Sequence, residues 1–385
     1  MTALKVVEAN TPAQKKNFIQ FPYKIYENNP HWVAPLQLDM RQMFDIRTPF
    51  DRLIRKRHPF YDYGEMQAFL AYRASSLVGR ICAVGNSLYK QHHDSQTGFW
   101  GFFECIDDQE VADTLFQAAE KWLKKKGFSK MKGPASPSST YDYGLLVEGF
   151  DDSPRVMMTY NPKYYVKLIE TAGFDKLKQL YAYKISADTI NDNKKLARVV
   201  VAIKKRYAVE MRPINMKDLK NEVEKIRHIY NESWNPNWGH IPFTDKEIEM
   251  LAEGIKPVAE ANLILFCYVR NQLAGMAVAV RDVNFLLKRF KGRLFPFNLF
   301  KLMNKKNLKK TEWMRVLLLG LLPQFQGKGI DAAFYWDLIQ NSLNLGLRYC
   351  EASWILEDNT MMNRAMDVVS GVVYKRYNLY TRPIG

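Results

Sequence analysis

Cysteine and histidine are scarce in this chain of 385 residues, which limits the metal and redox chemistry that it could carry. The cysteines are far apart and form no C-x-x-C pair; they are Cys82, Cys105, Cys267 and Cys350. We therefore expect reduced, buried thiols rather than disulfide bonds. Among the histidines, His92 and His93 are adjacent and diverge, and no H-E-x-x-H spacing occurs, so we expect no metal site.

Long apolar runs are also absent. No stretch approaches the ~18–20 uncharged apolar residues that a membrane-spanning helix requires. The N-terminus lacks the charged region followed by an apolar region that forms a secretory signal. We therefore expect a cytoplasmic protein, and its length predicts about two domains.

Acidic residues are outnumbered, with 40 Asp and Glu against 56 Lys and Arg and a formal net charge of +16. This charge would attract nucleic acid, anionic lipid or an anionic cofactor, and it does not choose among them. We expect no nucleic-acid partner, because nothing else in the sequence indicates an element that reads a groove.

The most basic segment is residues 284–311, which contains no acidic residue. Its cations are Lys288, Arg289, Lys291, Arg293, Lys301, Lys305, Lys306, Lys309 and Lys310, and large apolar residues such as Phe285, Phe290, Phe297 and Phe300 are interleaved with them. A basic, aromatic-rich amphipathic segment is typical of a membrane-surface element, so we expect peripheral contact with the inner membrane face. The alternative is an insertion that packs its apolar side on its own domain and leaves the lysines in water.

The most informative stretch is residues 314–346. An apolar run over residues 316–322 predicts a buried strand, which Pro323 ends because proline cannot donate to a ladder. Gln326-Gly-Lys-Gly follows, and apolar residues at helical spacing then continue to Gly346. A strand, a glycine turn and a helix together form an anion-binding arrangement, because glycines allow close approach and the first N–H groups of the helix are free.

This stretch resembles the acyl-CoA pyrophosphate loop of the GNAT acetyltransferase superfamily, Q/R-x-x-G-x-G/A after a strand that ends in proline. The match begins at Gln326, and Asp331 at the last G/A position departs from it. A second register, from Gln324, fits the motif literally, but the spacing from Pro323 favours the first. The resemblance implies that acetyl-CoA or a longer acyl-CoA is the cosubstrate. It implies contacts from Leu321, Leu322, Gln324, Gln326, Gly327, Lys328, Gly329 and Ile330, and from Asn359 after the next strand.

The order of elements repeats between the two halves of the chain. The same interval separates Asn161 from Gly173 and Asn359 from Gly371, which indicates a duplicated unit. The resemblance therefore predicts an α/β fold of two tandem GNAT-like domains, each a mixed, mostly antiparallel sheet flanked by helices. We expect a degenerate domain over residues 1–187, where an acidic turn replaces the phosphate loop. The acyl-CoA-binding domain would cover residues 188–385, with the basic insertion at 284–311.

The family often uses a tyrosine acid seven residues after the asparagine, and this chain has Met366 there. Tyr374 lies nearby but is expected in the closing strand. Acylating an amine also requires a base. The candidates are Glu351, on the strand after the phosphate loop, and Glu104, on the matching central strand of the first half; Glu357 is a further carboxylate.

The resemblance predicts an acyl-CoA-dependent N-acyltransferase that acts on a primary amine by direct attack. The acceptor would be a small molecule or a lipid amine, and residues 284–311 could instead wall a tunnel for a long acyl chain. The alternatives are a non-catalytic acyl-CoA or lipid-binding protein with the GNAT fold, for which Asp331 and Met366 argue, and a tRNA-dependent aminoacyl transferase.

Overall fold

The structure is a computed structural model, which describes residues 3–46, 57–235 and 237–385. The first part of the chain forms the strands β1 (Leu4–Glu8), β2 (Gly64–Arg73), β3 (Ser76–Asn86), β4 (Thr97–Cys105), β5 (Lys130–Gly133), β6 (Ala135–Ser136), β7 (Asp142–Tyr143), β8 (Leu145–Glu148) and β9 (Asp175–Ser186). Its helices are α1 (Pro12–Ile25), α2 (Gln37–Met43), α3 (Ser87–His92), α4 (Gln109–Lys125) and α5 (Tyr165–Thr171).

The second part repeats much of this order. Its strands are β10 (Val209–Pro213), β11 (Ile264–Val269), β12 (Gln272–Arg281), β13 (Trp313–Leu321), β14 (Tyr349–Leu356) and β15 (Val372–Pro383). Its helices are α6 (Ala187–Asn191), α7 (Lys194–Tyr207), α8 (Leu219–Trp234), α9 (Asp245–Ile255), α10 (Asn284–Phe290), α11 (Asn298–Met303), α12 (Lys305–Leu308), α13 (Asp331–Asn344) and α14 (Thr360–Val368).

Helix ends follow from local sequence. Thr11 and Gln14 form a capping box at the start of α1, and Thr244 and Glu247 form one at the start of α9. Each box satisfies N–H groups that have no partner inside the helix. Gly346 has φ +75°, a left-handed conformation that glycine adopts without a side-chain clash, and it follows the end of α13 as the sequence predicts.

Internal contacts divide the chain into two units. Unit 1 comprises Met1–Gln179, Leu287–Pro296 and Arg376–Gly385, and unit 2 comprises Leu180–Leu286 and Phe297–Lys375. The closing strands are exchanged: the end of β15, from Tyr380 to Pro383, pairs with β5 in unit 1, and β9 pairs with β14 in unit 2 from Leu180 to Ser186. The boundary expected between residues 187 and 188 remains a prediction, since this division is not a single cut.

Each unit contains a mixed, mostly antiparallel sheet, so the predicted α/β fold class is confirmed. In unit 1 the strand order is β1-β2-β3-β4-β5-β15, with β4 and β5 parallel. In unit 2 the order is β9-β14-β13-β12-β11-β10, with β13 and β14 parallel. Each unit has its own apolar core, centred on side chains such as Trp100 and Phe116 in unit 1 and Phe266 and Phe334 in unit 2.

The basic segment 284–311 forms three short helices, α10, α11 and α12. Leu286, Phe290, Leu302 and Leu308 are buried, whereas Phe295, Phe297, Phe300 and Met303 are exposed. Across the described ranges, no helix has both the length and the apolar content needed to cross a bilayer. The four cysteines are free and buried.

Candidate active site

The loop between β13 and α13 is built around two glycines. Pro323 ends the strand as predicted and opens a short 3-10 turn, Pro323–Phe325. Gly327 and Gly329 then have φ +70° and +73°, a region that other L-residues rarely adopt. The turn ends at Ile330, and α13 begins at Asp331.

The backbone of this loop offers unused donors. In the described part of the chain, the N–H groups of residues 327–330 have no hydrogen-bond acceptor. Ile330 precedes the helix without a side-chain cap. Free N–H groups at the positive end of a helix dipole bind anions. The loop can therefore hold a phosphate group.

The glycines leave space for a ligand at this loop. A Cβ atom added at Gly327 would meet no heavy atom within 4 Å, and one at Gly329 would meet only Ile203 Cδ1 of α7, at 3.2 Å. Gln326 and Lys328 are exposed. The loop is thus open to solvent and not covered by other side chains. A pyrophosphate site requires such an open loop.

Side chains fasten this loop to the end of β13. Gln326 donates from Nε2 to the Leu321 carbonyl at 2.8 Å, and Lys328 donates from Nζ to the Gln324 carbonyl at 2.6 Å. The Leu322 N–H donates to the Ala274 carbonyl of β12 at 2.8 Å. The predicted loop residues therefore form one connected structure whose exposed donors are backbone groups.

Asp331 is a negative charge next to these donors. Burial raises the pKa of its carboxyl, and the N–H groups of Asp331 itself and of Ala332 act in the opposite direction. The carboxylate thus turns back onto the first turn of its own helix. This orientation is the one that negative charge at a helix start favours.

The strands β13 and β14 separate beside the loop. They pair in parallel only from Trp313 with Tyr349 to Val316 with Ala352. On its other edge β14 pairs with β9 from Tyr349 to Leu356, past the end of its pairing with β13. The leucines at 317, 318 and 319 of β13 are only half-buried. On the other edge of β13, Leu317 forms a bulge against β12. Bulges and separated strands leave backbone groups unpaired, and such groups can bind a ligand.

Glu351, a predicted catalytic residue, lies at the centre of a buried polar cluster in unit 2. It is fully buried on β14. Its carboxylate accepts hydrogen bonds from the Ser353 hydroxyl at 2.7 Å and from the Tyr374 hydroxyl, and Arg315 of β13 approaches it at 3.5 Å. Arg315 also donates from Nε to Ser353 Oγ at 3.0 Å. A buried carboxylate persists where such partners compensate its desolvation.

Tyr374 and Asn359 are at the positions expected from the sequence. Tyr374 lies in β15, half-buried, and Met366 is fully buried in α14. Asn359 caps α14, because its side-chain oxygen accepts from the Met362 N–H at 3.1 Å. The Glu351–Tyr374 contact is not apparent in the sequence, because 23 residues separate the two side chains along the chain.

Glu104, the other predicted catalytic residue, lies in unit 1. It accepts a hydrogen bond from the Tyr165 hydroxyl at 2.7 Å and lies 3.5 Å from Arg80, and burial raises the pKa of its carboxyl. Arg80 in turn donates to the Phe18 carbonyl at 2.7 Å. These contacts link β4 to neighbouring elements within unit 1.

Metal chemistry has no visible site in the described residues, since they contain no group of three His, Cys, Asp or Glu side chains that could hold an ion. Glu357 is half-buried at the end of β14.

Comparison with known proteins identifies the family. No protein-family model matches the chain. Bacterial ceramide synthase of Caulobacter vibrioides is 33% identical to it over 386 residues, covering 99% of this chain and 98% of that protein. Protein YghO of Escherichia coli is 31% identical over 374 residues, covering 96% and 93%. Among solved structures, a tandem GNAT protein from the clavulanic acid biosynthesis pathway matches with a TM-score of 0.57 at 10% identity, covering 100% of this chain and 99% of that one.

The chain belongs to the family of bacterial ceramide synthase and protein YghO. Its fold is that of the GNAT proteins. The tandem GNAT arrangement inferred from the repeat is confirmed over the whole chain.

Proposed function

We propose that this GNAT protein is an acyl-CoA-dependent N-acyltransferase that transfers an acyl group from a CoA thioester to a primary amine. The observation that carries the proposal is the exposed loop whose four N–H groups lack acceptors in the described residues, next to the point where β13 and β14 separate. A pyrophosphate supplies the anion that such a loop binds.

The cosubstrate would lie along the end of β13. The loop from Gln326 to Ile330 would hold the pyrophosphate of acetyl-CoA or a longer acyl-CoA. The pantetheine arm would enter between the separated strands, with Leu321, Leu322, Gln324 and Asn359 alongside. The unpaired edge of β13 would offer an N–H group to the thioester oxygen, which becomes negative in the transition state.

In the reaction, the amine nitrogen attacks the thioester carbon. The C–N bond forms, the C–S bond breaks and CoA leaves as a thiolate. The amine must lose a proton in this step. Glu351 would receive it through Tyr374: the phenol oxygen accepts the proton of the amine while the hydroxyl proton passes to the carboxylate that it already contacts. Solvent would protonate the thiolate.

Glu104, on β4 of unit 1, is the alternative base. Glu351 is favoured because it contacts the half-buried Tyr374 and belongs to the unit that contains the loop.

A lipid amine is the acceptor that we favour. The relative from Caulobacter vibrioides is named a ceramide synthase, and a ceramide is an N-acylated long-chain amino alcohol. A small-molecule amine is the other acceptor class to test. We further propose that residues 284–311 meet a membrane surface peripherally, since a long-chain amine partitions into lipid. The cytoplasmic location remains a prediction.

The experiment measures thiol release from acetyl-CoA and palmitoyl-CoA with a panel of short and long-chain amines. We expect release that depends on a long-chain amine and a product that contains the new amide. Tyr374→Phe should lower kcat by about 10²-fold without weakening CoA binding, because it removes one proton-transfer group. Absence of amide product across the panel would refute the enzyme assignment.

A non-catalytic acyl-CoA or lipid-binding protein is the second candidate, favoured by the buried Met366 at the position of the family tyrosine. It predicts a thermal shift with CoA and no thiol release. An aminoacyl transferase would instead show no thermal shift with CoA and would be stabilised by charged tRNA.

A further inference from the structure

The face of α11 presents large apolar side chains to water. Phe297, immediately before the helix, is 73% exposed, Phe300 is 72% exposed and Met303 is 56% exposed. Residues three apart lie on the same side of a helix, so these side chains form one row. Two phenyl rings left in water make transfer to an apolar medium favourable.

Cations surround this row. Lys301, Lys305, Lys306, Lys309 and Lys310 are all exposed, and residues 297–310 contain no acidic side chain. The segment therefore combines apolar and positive surface with no negative charge of its own. That combination fits the boundary between anionic headgroups and acyl chains.

The opposite side of the segment is fixed to unit 2. Leu302 and Leu308 are buried. Asn307 donates from Nδ2 to the Lys301 carbonyl at 3.0 Å, and Asn304 accepts from the Lys306 N–H at 2.9 Å. The buried leucines thus fix the helices so that the row of Phe297, Phe300 and Met303 faces solvent.

We propose that α11 and α12 form a docking surface for a bilayer that contains anionic phospholipid. Phe297, Phe300 and Met303 enter the boundary between headgroups and acyl chains, and the lysines bind lipid phosphates. The proposal gives a site and a lipid class to the peripheral contact, and it does not depend on the acyl-transfer reaction. A second copy of the chain is a poor occupant, because five lysines on each copy would face one another.

The test is vesicle flotation of the full-length protein. Vesicles of phosphatidylcholine alone are compared with vesicles that contain about 30% phosphatidylglycerol. We expect binding only to the anionic vesicles, and we expect it to weaken as salt rises from about 0.05 M to about 0.5 M, because salt screens the lysines.

Two variants separate the apolar and charged contributions. Phe297→Ser/Phe300→Ser and Lys305→Gln/Lys306→Gln should each lower the partition coefficient at least about tenfold. Val201→Ser, which removes an apolar side chain 67% exposed on α7, is the control for the first variant. Lys121→Gln/Lys125→Gln, which removes two exposed charges from α4, is the control for the second. Both controls should float as the unchanged protein does.

Several outcomes would overturn the proposal. It fails if the unchanged protein stays in the bottom fraction of the gradient with anionic vesicles. It also fails if Phe297→Ser/Phe300→Ser floats as the unchanged protein does. The proposal is also wrong if the unchanged protein sediments as a dimer and the phenylalanine variant as a monomer with no change in flotation. The row is then a self-association surface. Thiol release with a soluble short-chain amine is measured in parallel. If the unchanged protein floats with anionic vesicles but releases no thiol, the proposed acyl-transfer activity is wrong and the membrane proposal stands.

Discussion

The parallel strand pairs of the two units, β4 with β5 and β13 with β14, begin alike and end differently. In unit 1 the pairing runs from Thr97 with Lys130 to Phe99 with Lys132 and then stops. The chain itself enters the space that follows: Ser136 Oγ of β6 accepts from the Phe102 N–H at 2.8 Å. A Cβ atom on Gly101 would lie 1.9 Å from the Ala135 carbonyl oxygen. In unit 1, therefore, β6 occupies the space beyond the paired part of β4 and β5.

The helices that follow these strands differ in the same way. In unit 1, Asp108 caps α4 by accepting from the Val111 N–H at 3.3 Å. Arg73 pairs with Asp108 at 2.6 Å and lowers the pKa of its carboxyl. In unit 2, Ile330 provides no such cap to α13. A helix start that is already bound to its own carboxylate has little capacity for a second anion, so the difference between the two helices favours unit 2 for the cosubstrate site that we propose.

The largest effect should come from the two buried carboxylates. Glu351→Gln keeps one of the two acceptor oxygens that Tyr374 and Ser353 contact, but its amide cannot take up a proton, so we expect kcat to fall about 10²- to 10³-fold. Glu104→Gln is the matched change in unit 1, and we expect a smaller loss of activity. Steady-state thiol release and its pH profile check both variants. If the larger loss follows Glu104, the base has been assigned to the wrong unit.

A side chain added where β6 packs against β4 in unit 1 should lower the free energy of unfolding and leave CoA affinity unchanged. Gly101→Ala pushes a methyl group against the Ala135 carbonyl, and we expect a loss of about 3 kcal/mol in the free energy of unfolding. Gly254→Ala is the control, because a Cβ there meets no atom within 4 Å and α9 favours alanine. Urea unfolding measures both variants. The folded Gly101→Ala protein should bind CoA normally; weaker binding would contradict the division of roles.

The local elements of both units follow from sequence patterns. Pro323, the glycines and the apolar helix behind them predict the strand, the turn and α13 with Gly346 after its end. Thr11 and Asp108 cap their helices as their residue types predict. These features depend on contacts between residues close together in the chain, which periodicity and capping rules describe.

The features that depend on distant residues could not be predicted from the sequence. The exchange of closing strands requires knowing which edge of a sheet β15 meets. The Glu351–Tyr374 contact requires knowing how close β15 comes to β14, from which β9 separates it in the strand order. The filling of the unit 1 gap by Ser136 looks like an ordinary loop in the sequence. Period-two patterns specify the faces of a strand and leave its neighbours open.

A charge placed in the loop should weaken cosubstrate binding selectively. Gly327→Asp puts a carboxylate among the free N–H groups, and we expect CoA affinity to fall about tenfold. Gly346→Asp is closely matched: both glycines have positive φ, and neither has an atom within 4 Å of an added Cβ. Calorimetric titration with CoA compares the two. Equal losses of affinity would mean that the loop does not bind the pyrophosphate.

The smallest effect concerns Asp331, the one carboxylate that makes the start of α13 resemble that of α4. Burial raises its pKa in the folded state, so its charge destabilises the protein increasingly as pH rises through that pKa. Asp331→Asn removes both this cost and the repulsion of a phosphate, so we expect CoA to bind about 2- to 5-fold tighter near neutral pH. The gain should shrink as pH falls, because Asp331 itself then becomes neutral.

The control is Asp337→Asn, six residues along the same helix, where the carboxylate pairs with Lys204 at 2.6 Å. It removes the same charge away from the loop and should leave CoA affinity unchanged. Titrations at several pH values separate these outcomes, and weaker binding by Asp331→Asn would show that the carboxylate supports the loop instead of opposing the ligand.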